Sequence, residues 1–167
     1  MTAPEAGADI TIDIPEPREV LVHATRSGLP EIIVINKALL AFPHTEVFCW
    51  HLVVTLDAVD LIDSGMPSPA DSALLFEIGD EIDAALHAAR TNNDAPNVLF
   101  LARSTWNGQR ELIYYVHDPE LAHAALQSLI DSRAWEREWS FRMEGDAAWE
   151  KAGHVFQVFP AIDGLAS

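Results

Sequence analysis

Between Asp57 and Asp94 the chain sets nine carboxylates, at positions 57, 60, 63, 71, 77, 80, 81, 83 and 94, against one base, Arg90. The segment therefore carries −8, half of the chain's −16, in less than a quarter of its 167 residues. Glu77, Asp80, Glu81 and Asp83, with His87 beyond them, occupy the polar side of a helical pattern. An acidic face of this kind speeds encounter with a cationic partner and can occupy a groove built for phosphate. The same residues also describe an ordinary solvated helix face. Repulsion between Glu77 and Glu81 at i, i+4 costs only about 0.2–0.5 kcal/mol, too little to decide between the two. Asp83 and His87, also at i, i+4, can pair on the helix surface.

A second chemistry involves cations. Arg103, Arg110 and Arg142 fall on neighbouring strand-like segments, near Tyr114. In so acidic a chain they are expected to form ion pairs. The alternative is that Arg103, Arg110, Arg142 and Tyr114 line a small concavity that holds an anion. Of the five tryptophans most belong in a core. Trp106 stands beside a hairpin tip, where an exposed ring can anchor a partner, and Trp135 adjoins Arg133 and Arg137.

Other chemistries leave no trace. The seven histidines, 23, 44, 51, 87, 117, 123 and 154, are scattered, with no HExxH pair and no cysteine partner, so no metal site is expected. The single cysteine, Cys49, allows no intrachain disulfide. It lies between Phe48 and Trp50 in a strand-like run, where a thiol is usually inert. No serine sits in a G-x-S-x-G elbow, and neither a Walker loop nor a dinucleotide glycine loop occurs. Carboxylates are too numerous for any two to be nominated as a catalytic acid and base. No cofactor is expected.

Composition narrows the setting. With 49% apolar and 22% charged residues the chain is an ordinary globule. A net charge of −16 argues against nucleic acid and against an anionic membrane surface. No run approaches the roughly 18 uninterrupted apolar residues that a membrane helix needs. The opening residues lack a basic start and an apolar core, so we expect no signal peptide and a cytoplasmic location.

The elements that must position these groups follow from local patterns. Residues 18–26 and 31–40 are rich in aliphatic and β-branched side chains and flank Ser27-Gly28-Leu29-Pro30, which predicts a hairpin. Residues 46–56 read as a central strand, with Phe48, Trp50, Leu52, Val54 and Leu56 on one face. Residues 70–90 read as a helix on the spacing of Leu74, Leu75, Ile78, Ile82, Ala85, Leu86 and Ala89, capped by Ser68 or Asp71. Residues 97–106 and 109–117 flank Asn107-Gly108, the strongest short hairpin signal. Asp118 then caps a helix over about 119–131, with Pro119 in its first turn. A strand over about 136–143 follows. Asp146 caps a short turn through Trp149, and an edge strand is expected near 155–159. From residue 46 the order is β-α-β-β-α-β, which predicts an α+β, ferredoxin-like core with helices on one face of an antiparallel sheet. The N-terminal hairpin would extend that sheet. Residues 1–17 are expected to be a loose tail or an edge strand near 10–14. Residues 18–160 would form the single domain, with 161–167 as a C-terminal tail.

Several short motifs also occur in a telling order. Gly65-Met66-Pro67 precedes the helix carrying Glu77 and Glu81. Thr105-Trp106-Asn107-Gly108-Gln109-Arg110-Glu111 follows, then Ile113-Tyr114-Tyr115, and finally Asp146-Ala147-Ala148-Trp149. Over residues 18–158 this arrangement resembles the bacterial family known as domain of unknown function 695. That family's hallmarks are a hairpin ending in Arg-Glu, an aromatic pair, and a late Asp-Pro-x-Trp; here Ala147 replaces the proline. The resemblance implies a fold, and it links the chain to the regulator of ribonuclease E activity B, an acidic ferredoxin-like protein that inhibits by binding. It brings no catalytic residues.

These readings converge on a non-enzymatic cytoplasmic binding or regulatory protein of the inhibitor, immunity or adaptor type. It would engage a basic protein, such as a nuclease, through Glu77, Asp80, Glu81, Asp83, His87 and Trp106. One alternative is an anion-binding or enzymatic pocket between sheet and helices, using Arg103, Arg110, Tyr114 and Arg142. Another is a structural homo-oligomer, since an open sheet edge allows a homodimer.

Overall fold

Two dipeptides set the sheet's hairpins. Ser27-Gly28 and Asn107-Gly108 all take positive φ, between 47° and 82°, which is the geometry of a two-residue turn matched to strand twist. The first turn joins β1 (Glu19–Arg26) to β2 (Leu29–Asn36), and the second joins β4 (Val98–Trp106) to β5 (Gln109–Val116). The computed structural model describes residues 12–157. A 3-10 turn (Lys37–Leu39) follows β2, and β3 (Trp50–Asp57) precedes the longest helix, α1 (Pro69–Ala88). After β5 come α2 (Pro119–Ile130), β6 (Trp139–Gly145) and α3 (Glu150–Phe156). The strands form one sheet in the order β1-β2-β4-β5-β3-β6, and every neighbouring pair is antiparallel.

Caps start the two long helices. Ser68 Oγ accepts from Asp71 N at 3.2 Å, with Pro69 in the first turn of α1. Asp118 Oδ1 accepts from Glu120 N and Leu121 N, with Pro119 opening α2. Both helices cover one face of the sheet. Leu75, Ile78, Ile82 and Leu86 of α1 and Ala122 and Leu126 of α2 pack on Leu52, Val54, Leu112, Tyr114 and Val116. The opposite face is also covered. There Val22, Ile35, Val53, Leu101, Ile113 and Tyr115 pack against Leu39, Phe42, Phe48, Trp149 and Ala152.

Several sequence expectations are corrected. The third strand begins at Trp50, not at 46, and Phe48 packs with Val53 on the face opposite Leu52, Val54 and Leu56. Cys49 likewise precedes the strand, half-buried. An apolar run imitates a strand whether or not a neighbour pairs with it. β2 stops at Asn36 because its side chain accepts from Ala38 N, turning the chain. Residues 155 and 156 belong to a helix, not an edge strand. Asp146 causes this: its carboxylate accepts from Glu150 N at 2.8 Å and Lys151 N at 2.9 Å. The helices therefore do not share one face, because α3 carries Ala152 into the core opposite α1 and α2. Residues 158 and 159 lie outside the described residues, as do 10 and 11. Residues 12–14 form no strand, and Ile12 and Ile14 pack against the core of the α3 side. A bulge between Phe100 and Ala102 turns both Leu101 and Ala102 toward that side.

The Asn107-Gly108 tip is itself an anchor. Gly108 N donates to Gly65 O at 2.7 Å, and Ala58 N donates to Gly108 O at 2.8 Å. A Cβ on Gly108 would stand 3.3 Å from Leu61 Cδ1, at a φ of +82°. Gly108→Ala should therefore cost about 1 kcal/mol or slightly more, seen as a lower urea midpoint with an unchanged slope.

Candidate functional site

The β2–β4 ladder ends at the Ile35–Ala102 pair, and beyond it Asn36 Nδ2 donates to Phe100 O at 3.0 Å in place of a backbone pair. A cavity of about 400 Å³ opens there and runs between α1 and the sheet. Its sheet side carries Arg103 from β4 with Arg110, Leu112 and Tyr114 from β5; its helix side carries Phe76, Gly79, Asp80, Asp83 and His87. The strand period of two puts Arg110, Leu112 and Tyr114 on one face. The β4–β5 register places Arg103 opposite Leu112.

Arg110 is 5% exposed. Its Nε donates to Thr105 Oγ1 at 3.0 Å, and its Nη2 donates to Ser72 Oγ at 3.4 Å. Among the described residues its Nη1 is buried without a partner, and no carboxylate lies within ion-pair distance. The Phe76 ring, 43% exposed, covers the pair of guanidinium groups, with its centroid 4.3 Å from Arg110 Cζ and 4.9 Å from Arg103 Cζ. Burial, helped by the Arg103 charge, pushes the Arg110 guanidinium down to about 10. Arg103 is also in no ion pair among the described residues, whereas Arg26, Arg90, Arg133 and Arg137 each hold a carboxylate. The expected ion pairing of Arg103 and Arg110 is thus not what the fold builds.

Tyr114, 1% exposed, closes the floor further along. Its hydroxyl donates to Asp83 Oδ1 at 2.8 Å, and His87 Nε2 lies 3.3 Å from the same oxygen. Burial, then the Asp83 carboxylate, drive the phenol well above its ordinary value. Burial works against ionisation of Asp83, yet hydrogen bonds from His87 and Tyr114 hold its carboxyl below the ordinary value.

The remaining residues singled out from the sequence scatter. Glu81 is bound by both terminal nitrogens of Arg133, at 2.7 and 2.8 Å, which ties α1 to the segment after α2. Glu77 is exposed and in no ion pair among the described residues. Trp106 is half-buried, donates from Nε1 to Arg26 O at 2.8 Å, and has the Arg26 guanidinium 4.0 Å above its ring. Its role is to join the two hairpins rather than to stand free. Arg142 is exposed on β6, three strands from β4, in a shallow groove beside α2. It does not join Arg103 and Arg110. Trp135 precedes β6 and stacks on Arg133 at 3.8 Å.

Sequence reasoning passed over Phe76, Gly79 and Ser72, and gave Thr105 a place in a motif but no role. Two signals were present. Phe76 is an aromatic residue beside the buried stripe of Leu75, Ile78, Ile82 and Leu86. Gly79 is a glycine in the interior of a 20-residue helix, where it is unfavourable.

On the opposite face the second tyrosine of the pair has a structural role. Tyr115 donates to Asp146 Oδ2 at 2.7 Å, accepts from Ala152 N at 3.1 Å, and stacks on Trp149 with centroids 4.1 Å apart. His51 packs beside it, held below its ordinary value by burial and the Lys151 charge. No group of three or more His, Cys, Asp or Glu among the described residues is placed to hold a metal ion. No helix among them is long and apolar enough to cross a membrane.

A family model described as a family of unknown function (DUF695) matches residues 21–151. No curated protein and no solved structure matches the chain.

Proposed function

Because the chain belongs to the family of unknown function DUF695, which supplies no activity by name, we propose from its own residues that it binds a small anionic molecule between α1 and the sheet. The observation that carries this is the buried Arg110 guanidinium on the wall of a cavity, with Nη1 unpartnered and no carboxylate within ion-pair distance among the described residues. A buried charge without a counter-ion is costly, and this chain has ample acid to supply one. Phe76 offsets about 1–2 kcal/mol through its ring face. A ring over Cζ offers no acceptor in the guanidinium plane, however, so Nη1 stays unbonded. A ligand carboxylate or phosphate held by Arg103 and Arg110 supplies both the charge and the acceptor.

The reading is one of binding rather than catalysis. The phenol of Tyr114 is pinned to Asp83 and shifted away from neutral-pH proton transfer. Docking of a basic protein on the acidic helix face ranks second, since Glu81 and Asp83 are already engaged within the molecule. We further read β3 to β6 with α1 and α2 as a ferredoxin-like unit; the strand order β4-β5-β3-β6 with antiparallel neighbours supports it. A likeness to the regulator of ribonuclease E activity B, and a cytoplasmic setting, are part of the same proposal.

The test is titration of the purified protein with inorganic phosphate and small carboxylates, by calorimetry and thermal shift. Wild type should bind saturably and gain melting temperature. Arg110→Met should lose about 100-fold or more in affinity, near 3 kcal/mol, while melting at or above the unliganded wild-type temperature. Absence of saturable anion binding by wild type, or unchanged affinity in Arg110→Met, would sink the proposal.

A further inference from the structure

The cavity is not cationic throughout. Arg110 meets Ser72 and Phe76 at one end of α1, but Asp80 and Asp83 line the same cavity one and two turns further along. At 1.5 Å per residue, Phe76 and Asp83 are about 10 Å apart along the helix axis. The sheet side repeats the gradient, from Arg110 through apolar Leu112 to Tyr114, whose hydroxyl is bound to Asp83. Asp80 is in no ion pair among the described residues. Both polar contacts of Asp83, with Tyr114 and His87, fall on Oδ1. Carboxylate capacity therefore faces the end of the cavity away from the arginines.

Between the two ends lies Gly79. A helix-interior glycine is a destabilising choice. The packing of the described residues does not demand one here, because among them a Cβ at Gly79 would meet only Leu112 Cδ1, at an ordinary 3.7 Å. What the missing side chain does provide is room in the cavity wall.

We infer that the ligand is an elongated amphipathic zwitterion. Its acidic group lies at Arg103 and Arg110, its apolar middle runs along the cavity past Gly79 and Leu112, and its protonated amine lies at Asp80 and Asp83. This rests on the anion-binding reading and adds the apolar span and the amine. A peptide-like or ω-amino acid skeleton with about 10 Å between acid and amine has these features.

The experiment compares 8-aminooctanoate with octanoate by calorimetry on the whole chain, with inorganic phosphate as a third probe. Wild type should bind 8-aminooctanoate about tenfold more tightly than octanoate, and Asp80→Asn should bring it to octanoate's level. Gly79→Ala should weaken both ligands while raising the melting temperature of the unliganded protein. Octanoate binding as well as 8-aminooctanoate would overturn the zwitterion and leave the anion site standing. Phosphate binding without either octanoate would overturn the elongated ligand class. Failure of all three probes would remove the anion site itself. Unchanged affinity in Gly79→Ala would overturn the path of the apolar middle.

Discussion

Trp149→Ala is expected to lower the unfolding free energy by about 3–5 kcal/mol, the range for truncating a large buried aromatic side chain. Trp149 is 6% exposed and lies between two rings, Tyr115 at 4.1 Å and Phe42 at 5.5 Å. Its Nε1 donates to Phe48 O at 2.8 Å. One side chain thus holds three separate parts of the chain: the turn-rich segment through Phe42 and Phe48, strand β5 and helix α3. Alanine leaves a cavity on the sheet face and an unbonded carbonyl at Phe48. A domain with about 5–15 kcal/mol in total has little margin for that loss. Trp149→Phe keeps the stacking and gives up only the hydrogen bond, so it should cost about 1–2 kcal/mol. Urea unfolding at neutral pH measures both. A loss below about 1 kcal/mol in Trp149→Ala would show that α3 is not docked in solution.

Asp71 carries the second large effect. It is 2% exposed although it lies in the first turn of a surface helix. Val59 N donates to its Oδ2 at 2.8 Å, and Arg137 grips its Oδ1 through Nε, at 3.0 Å, and through Nη2. The carboxylate fastens the loop after β3 and the approach to β6 onto α1. Asp71→Ala should cost about 3 kcal/mol, because it leaves a buried N–H and a half-covered guanidinium without acceptors.

The same pair shapes the acid response. The hydrogen bonds from Arg137, against the opposing effect of burial, hold the Asp71 carboxyl below its ordinary 3.8. A carboxyl depressed in the folded state binds its proton more readily in the unfolded state. Its contribution is therefore present above pH 3.8 and is lost as pH falls through the lower folded value. Glu81, held by Arg133, and Asp146, held by Tyr115 and the α3 amides against its burial, shift the same way. Stability of the wild type should thus fall below about pH 4, and Asp71→Asn should fall less steeply, by up to one proton's worth of slope. Urea midpoints measured across that range check it. An identical acid slope in Asp71→Asn would mean that the pair does not form.

Much of the local architecture was legible along the chain. Asn107-Gly108 demands positive φ at both positions whatever surrounds it, so the β4–β5 hairpin is readable from two residues. Asp118-Pro119 announces the start of α2 in the same way. The misreadings fell where a nearby polar group redirected an apolar run. Asn36 turns the chain after β2, and Asp146 winds residues 150–156 into a helix that hydrophobicity alone could not tell from a strand. The site was half legible. Period two placed Arg110 and Tyr114 together, but nothing along the chain said that Phe76 would lie over the arginines, or that Arg142 would stand three strands away.

What the amino-acid sequence determined by itself is the set of elements, because turns, caps and periodicity act within a few residues of one another. It also determined a surplus of acid large enough to pair every cation. Which acids do so was decided only by the tertiary structure. Arg133 takes Glu81 across 52 residues, and Arg137 takes Asp71 across 66. Arg110, whose Ser72 neighbour is 38 residues away, lies under Phe76 at the cavity wall with no carboxylate beside it among the described residues. Pairing of a charge depends on what long-range packing brings within a few ångströms and on how much water it excludes there, and neither is encoded in the spacing of residues along the chain.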